Sequence, residues 1–118
     1  MPEPVRGPVL VAFEYLFDSA ADELERLGDE VAVRFLRFLD KIAGGHEDYR
    51  RLRPFAEYEG VPLFRAEIED NVMIYAVEED EAGDLKVTVM LCARRSAGDF
   101  RRTALERARV WFTGAGGA

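Results

Sequence analysis

The alternation of hydrophobic and polar positions in the second half of the chain predicts three consecutive β-strands. Apolar, aromatic and β-branched residues fill the stretches 63–69, 72–78 and 85–93. Asp70-Asn71 separates the first two stretches, and the acidic segment 79–84 separates the last two. Both separators have turn composition. Two short connections in succession indicate two hairpins, and therefore an antiparallel β-meander.

The first half of the chain predicts one further strand and a pair of helices. Residues 9–17 are apolar and aromatic, and this strand is expected to join the meander because an isolated strand leaves its backbone groups unpaired. A short helix is expected from Ser19 to about Gly28, since serine favours helix starts and glycine favours helix ends. A second helix is expected from Asp29 to Ala43, where apolar residues recur at helical spacing.

The remaining segments predict a loop and a final helix. Residues 55–61 are expected to form a loop ahead of the meander. Ser96 and Asp99 approximate a capping box, so the last helix is expected to begin at Ser96. The apolar stripe of this helix comprises Phe100, Ala104, Leu105, Ala108, Trp111 and Phe112. Its arginines are expected to form a solvated face, and they are Arg101, Arg102, Arg107 and Arg109.

Strand alternation assigns side chains to the two faces of the sheet. Phe64 and Ala66 are expected to face the helical hairpin, which puts Arg65 on the opposite, open face. The stretch 85–93 is apolar on both faces, so it is expected to be a central or doubly covered strand.

The predicted fold is a single α+β domain that spans residues 1–118. It consists of an N-terminal strand, a helical hairpin, an antiparallel β-meander packed on the helices, and a short C-terminal helix. Residues 1–8 and 113–118 are expected to be flexible.

Composition excludes several classes of protein. A chain of 118 residues with 48% hydrophobic residues fits one globular domain. No apolar run approaches the ~20 residues of a membrane-spanning helix, and no signal-peptide pattern begins the chain, so a cytoplasmic protein is expected. Cys92 lies in an apolar strand and is interpreted as a buried thiol. One cysteine and one histidine, His46, are too few for a zinc site, so neither a metal nor another cofactor is expected.

Charge is distributed unevenly along the chain. The net charge is −7, yet residues 57–84 carry 10 acidic residues and 1 basic residue, whereas residues 85–118 carry 7 basic and 2 acidic residues. The local field decides what approaches a site, so the basic C-terminal third can bind an anion. The alternative is that the acidic and basic groups pair within the molecule.

Three local motifs stand at matching places in one known superfamily. Leu52-Arg53 resembles the K-L-R/K-G motif that precedes the meander, and residues 72–75 (V-M-I-Y) resemble the strand Y-R-[LIV]-[LIV]-Y. Residues 89–95 (V-M-L-C-A-R-R), followed by a helix, resemble a last strand that ends in a basic pair. Together with the element order, these motifs resemble the RelE/ParE/HigB superfamily of type II toxins over residues 13–111. The resemblance implies a RelE-like fold.

The resemblance also implies an activity, because the RelE and HigB members cleave mRNA in the ribosomal A site. The implied catalytic residues are Arg65, Arg94 and Arg95. The implied RNA-binding residues are Arg53, Phe100, Arg101 and Arg102. Arginine offers a fixed fork of donors to phosphate, and an aromatic ring can hold an unstacked base.

Departures from the superfamily pattern keep a second function open. Glu67 stands where a second basic residue is expected, Val72 stands in place of the arginine, and Phe100 stands in place of a tyrosine. The alternative is a non-catalytic, protein-binding member, either a ParE-like gyrase inhibitor or an inactive toxin-like protein. A cognate antitoxin is the implied partner, with Trp111 and Phe112 as candidate contacts; core packing is the alternative for both residues.

Overall fold

The computed structural model describes residues 11–15, 19–43, 52–79, 81–83 and 85–113. Its elements are β1 (Val11–Tyr15), α1 (Ser19–Arg26), α2 (Asp29–Ala43), β2 (Ala56–Tyr58), β3 (Val61–Ile68), β4 (Asn71–Glu79), β5 (Leu85–Arg94) and α3 (Phe100–Thr113). A short 3-10 helix, Arg95–Ala97, connects β5 to α3. The α+β class is confirmed. The expected flexible termini lie outside the described residues, apart from Thr113, which ends α3.

The five strands form one mixed sheet in the order β1-β5-β4-β3-β2. Within the series β2 to β5, each strand is antiparallel to the next. Strand β1 runs parallel to β5, with Val11 opposite Leu85. This arrangement confirms the antiparallel meander and the N-terminal strand that joins it. It also confirms the central position of β5, which lies between β1 and β4.

The expected loop at residues 55–61 is wrong, because Ala56–Tyr58 form β2. Ala56 pairs with Leu63, and Tyr58 pairs with Val61. Glu59 and Gly60 make the turn with φ values of 46° and 88°, a region that glycine adopts without a steric penalty. A strand of three residues is too short to show an alternating pattern, and this explains why the sequence does not reveal it.

Each face of the sheet packs against helices. On one face, the α2 residues Phe35, Leu39 and Ile42 are buried together with Phe64 and Tyr75 of the sheet. The predicted inward faces of α2 and β3 are therefore confirmed.

The opposite face is covered by α3. Ala104 and Ala108 of α3 are completely buried against a cluster that includes Ile74 and Met90. Small side chains let the helix backbone approach the strands closely. The prediction that Arg65 stands on an open face is therefore wrong, because Arg65 lies on the face that α3 covers, beside the first residue of that helix.

A β-bulge at Met90 changes which residues of β5 face each core. Tyr75 pairs with Val89 and Ile74 pairs with Leu91, so Met90 is an extra residue in β5. Val89 packs in the core beneath α1 and α2, whereas Leu91 packs beneath α3. Strict alternation would put both residues on the same face. The bulge therefore also determines the face from which the arginines at the end of β5 emerge.

Helix α3 begins later than the capping-box pattern predicts. Ser96 belongs to the 3-10 helix, and Gly98, with a φ of 115°, interrupts the chain before α3. The Asp99 carboxylate accepts a hydrogen bond from the backbone N–H of Arg102 at 3.1 Å. Asp99 is therefore the N-cap of α3, and Phe100 is its first helical residue.

Thr88 in β5 offers a test of packing beneath α3. Its hydroxyl is fully buried and has no hydrogen-bond partner within the part of the chain that the structure describes. Thr88→Val keeps the shape of the side chain and removes the unsatisfied hydroxyl, so it is expected to raise the free energy of unfolding by about 1 kcal/mol in urea titrations. Thr88→Ser keeps the hydroxyl and is expected to lower stability. A less stable valine variant would contradict the prediction.

Candidate functional site

Arg65 projects from β3 and contacts two phenylalanine rings. Its guanidinium carbon is 5.8 Å from the ring centroid of Phe55 and 5.5 Å from that of Phe100. Phe55 immediately precedes β2, and Phe100 opens α3, so the sheet and the helix both position the cation. These two cation–π contacts favour the guanidinium and restrict its orientation, while 28% of the Arg65 side chain stays exposed.

Glu67 joins Arg65 to Arg95. Two residues apart on β3, Arg65 and Glu67 share a face, and Glu67 Oε2 accepts a hydrogen bond from Arg65 Nε at 2.8 Å. Glu67 Oε1 accepts a second hydrogen bond from Arg95 Nη1 at 3.2 Å. One carboxylate therefore holds together two arginines from opposite ends of the meander.

Arg95 is also bound to the turn between β3 and β4. Its Nη2 donates to Asp70 Oδ1 at 3.2 Å, and its backbone N–H donates to the Asp70 carbonyl at 2.6 Å. Ile68 pairs with Asn71, so the turn consists of Glu69 and Asp70, one residue earlier than expected. The Asp70 side chain is 84% exposed, so this ion pair lies at the surface.

Asp70, Arg94, Arg95 and Ser96 line a polar cavity of about 370 Å³. Arg94 is exposed and forms no ion pair within the described part of the chain. Arg95 therefore links this cavity to Arg65 through Glu67, whereas Arg65 itself does not line the cavity. Guanidinium groups suit the recognition of phosphate oxygens. His46, the only histidine, lies outside the described residues.

The other expected RNA-binding residues are spread more widely. Arg101 and Arg102, on the first turn of α3, line a second, open groove of about 700 Å³ together with Tyr58 and Leu105. Arg102 forms an intrahelical ion pair with Glu106, at 3.4 Å. The remaining candidates are Phe100, which contacts Arg65, and Arg53, which is exposed.

Trp111 and Phe112 make intramolecular contacts near the end of α3. The Nζ atom of Lys86 lies 5.6 Å from the Trp111 ring centroid, and the Phe112 ring stacks on Tyr58 with 6.3 Å between centroids. Both residues are partly buried against the core beneath α3. Core packing accounts for these contacts in the folded chain, and a role in antitoxin binding stays a prediction.

The sequence carries no signal for an ion pair between Glu23 of α1 and Arg107 of α3, which are 84 residues apart. Both Glu23 carboxylate oxygens accept hydrogen bonds from Arg107, each at 2.8 Å, and each side chain is only 20% exposed. The expectation that Arg107 lies on a solvated face is therefore wrong. The hydrogen bonds to Glu23 raise the pKa of Arg107 above its usual value.

This ion pair satisfies backbone groups at the edge of β5. Arg107 Nη1 donates to the Met90 carbonyl at 2.8 Å, and the Cys92 N–H donates to Glu23 Oε1 at 3.2 Å. Among the described residues, β1 pairs with β5 only as far as Val89. The two side chains therefore supply the donor and acceptor that a neighbouring strand would otherwise provide.

Cys92 has the properties of a structural thiol. Its side chain is buried, and burial, with the Glu23 charge as a smaller contribution, raises the pKa of the Cys92 thiol to about 12. The thiolate is the nucleophilic form of cysteine, so this residue is inert at neutral pH. The interpretation as a buried thiol is confirmed.

The described residues hold neither a metal-ligand cluster nor a membrane-spanning helix. They contain no group of three or more His, Cys, Asp or Glu side chains arranged to hold a metal ion. None of the helices described is long and apolar enough to cross a membrane. No protein-family model and no curated protein matches the sequence. Function is therefore inferred from the geometry of the site and from the local motifs.

Proposed function

We propose that this protein is the toxin of a type II toxin–antitoxin pair, with a RelE-like fold, and that it cleaves mRNA on the ribosome. The observation that carries the proposal is a connected group of arginines: Arg94 and Arg95 line one cavity, and Glu67 joins Arg95 to Arg65, which contacts Phe100. These arginines and Phe100 are residues that the resemblance names for catalysis and RNA contact. The element order, in which a strand, a helical hairpin, a meander and a C-terminal helix follow one another, also supports it.

In this proposal, Arg94 and Arg95 hold the scissile phosphodiester in the polar cavity. The adjacent 2′-hydroxyl gives its proton to water as its oxygen forms a bond to phosphorus, and the bond to the 5′-oxygen breaks as that oxygen takes a proton from water. Negative charge develops on the phosphoryl oxygens during this exchange. Guanidinium donors that are already oriented stabilise this charge. Glu67 provides that orientation, because it fixes Arg65 and Arg95 relative to each other.

A second function is favoured by the carboxylates at the same edge. Glu67 and Asp70 together occupy three side-chain N–H groups of Arg65 and Arg95, and their charges oppose an approaching RNA strand. The surrounding segment, residues 57–84, carries a net charge of −9. This arrangement favours a protein-binding member of the same fold, either a gyrase inhibitor or an inactive toxin-like protein.

Tightly induced expression of the full chain, followed by growth and by the integrity of bulk mRNA, distinguishes these functions. Growth arrest with fragmented transcripts is the result expected for the ribonuclease. Arrest with intact transcripts would support the protein-binding toxin instead. Absence of arrest, with folded protein in the lysate, would contradict both toxin functions and leave the inactive toxin-like protein. A small protein encoded beside the gene is expected to restore growth when co-expressed as the cognate antitoxin.

A further inference from the structure

We propose that Asp70 is an internal competitor of the ligand: an RNA phosphodiester group binds beside Arg94 and Arg95 by displacing the Asp70 carboxylate from Arg95. The choice of RNA as ligand rests on the proposed function. The competition itself rests on the contacts around Arg95. It makes Asp70 a residue that determines the affinity of this site for phosphate.

The two carboxylates bound to Arg95 differ in how firmly they are held. Glu67 is 39% exposed and accepts hydrogen bonds from both Arg65 and Arg95. The Asp70 side chain is 84% exposed, and Arg95 is its ion-pair partner. An ion pair at such exposure is weak, because water solvates both groups and ordering the side chains has an entropic cost. A stronger anion therefore displaces Asp70 before it displaces Glu67.

The backbone allows this exchange without rearrangement of the sheet. The Arg95 N–H donates to the Asp70 carbonyl at 2.6 Å, and this bond holds the β3–β4 turn against the end of β5 whatever the Asp70 side chain does. Rotation of one side chain is then sufficient to free Arg95 Nη2. Glu67 continues to hold Nη1, so the guanidinium keeps its orientation.

The cavity beside Asp70 matches a phosphodiester in charge and in donors. Its lining consists of Asp70, Arg94, Arg95 and Ser96. An anion that replaces the Asp70 carboxylate meets the freed Arg95 Nη2 in a cavity whose other two lining residues are Arg94, which is exposed, and Ser96. Asp70 opposes such an anion in two ways, because it occupies a donor and because its own charge repels the phosphate. Removal of that charge is therefore expected to raise affinity.

The test is the binding of a fluorescent 2′-O-methyl oligoribonucleotide, which lacks the free 2′-hydroxyl and cannot be cleaved, followed by anisotropy at low ionic strength. Asp70→Asn is expected to tighten binding by about three- to tenfold, from loss of an exposed ion pair and of repulsion. Glu69→Gln is the matched control. Glu69 is the adjacent turn residue and is 63% exposed, but its carboxylate pairs with Arg34 at 2.7 Å. Its substitution is expected to change affinity by less than about twofold.

A double substitution ties the gain to Arg95. In the Arg95→Gln background, Asp70→Asn is expected to change the affinity for the oligonucleotide no more than Glu69→Gln does, because the donor that Asp70 occupies is gone. Equal gains from Asp70→Asn and Glu69→Gln would overturn the proposal, since general electrostatics would then explain both. An unchanged affinity for Asp70→Asn would also overturn it.

The same variants distinguish RNA from inorganic phosphate as the ligand, and binding from cleavage. A gain with inorganic phosphate but not with the oligonucleotide would overturn the assignment to RNA. Because the probe cannot be cleaved, its binding is independent of the integrity of cellular mRNA. Intact mRNA together with tighter binding by Asp70→Asn would therefore refute the nuclease and support Asp70 as an internal competitor. Cleaved mRNA with unchanged binding by Asp70→Asn would support the nuclease and refute that role of Asp70.

Discussion

Substitution of Arg95 by alanine is expected to abolish the growth arrest that follows induction of the wild-type protein. Arg95 donates hydrogen bonds to Glu67 and Asp70 and lines the polar cavity. In the proposed mechanism it therefore contacts both carboxylates and the bound phosphate. Its loss removes the Nη2 donor from the phosphate site. Removal of one preorganised donor from a catalytic site commonly lowers the rate by a factor of about 10²–10³. A loss of this size is sufficient to suppress the arrest.

Arg34→Ala is the matched control for Arg95→Ala. Arg34 is also an exposed arginine in an ion pair with a residue of the β3–β4 turn, yet it reaches that turn from α2. Growth arrest is expected to persist in this variant. Both substitutions remove only exposed ion pairs, so their thermal unfolding is expected to match the wild type closely. Arrest that is unchanged in folded Arg95→Ala protein would refute the ribonuclease.

Substitution of Arg107 by methionine is expected to lower the free energy of unfolding by about 2–3 kcal/mol. This loss is smaller than that for breaking a fully buried ion pair, because both side chains are partly exposed to water. The variant leaves the Glu23 carboxylate four-fifths buried without a cation. It also leaves the Met90 carbonyl without its side-chain donor. Methionine retains an apolar stem of similar length, so packing is largely preserved. Urea titration followed by circular dichroism measures the change.

Two comparisons identify the cause of that loss. Arg102→Met removes an exposed arginine from the same helix, where the pair with Glu106 contributes little, and is expected to change stability by less than about 0.5 kcal/mol. The double variant Glu23→Met/Arg107→Met is expected to be less destabilised than the sum of its single variants, because no uncompensated charge remains. Additive losses, or a loss for Arg102→Met as large as that for Arg107→Met, would contradict this account.

Local pattern was sufficient for the longer elements. The expected bounds of α2, Asp29 and Ala43, agree with the structure because its apolar residues repeat at helical spacing over four turns. The expected inward face of β3, with Phe64 and Ala66, also agrees because alternation holds along an undistorted strand. Both elements contain enough residues for their period to be visible.

Short or distorted elements did not follow from the pattern. The strand β2 has only three residues, and the bulge at Met90 inserts one residue without any change in composition. Ser96 and Asp99 have capping-box spacing, yet Gly98 interrupts the chain and leaves Asp99 as the N-cap. In each case, the outcome depends on pairing with another strand or on a single backbone dihedral.

Residue types and periodicity along the chain were sufficient to identify the α+β class, the inward side chains of the main elements and three arginines as candidates for one site. The tertiary structure was required to show that Glu67 holds Arg65 and Arg95 together, and that Glu23 and Arg107 close the edge of β5. The spacing of apolar residues indicates which side chains of one helix or strand are buried. Partners 28 and 84 residues apart meet only after strands pair and helices dock, and no local pattern encodes their distance.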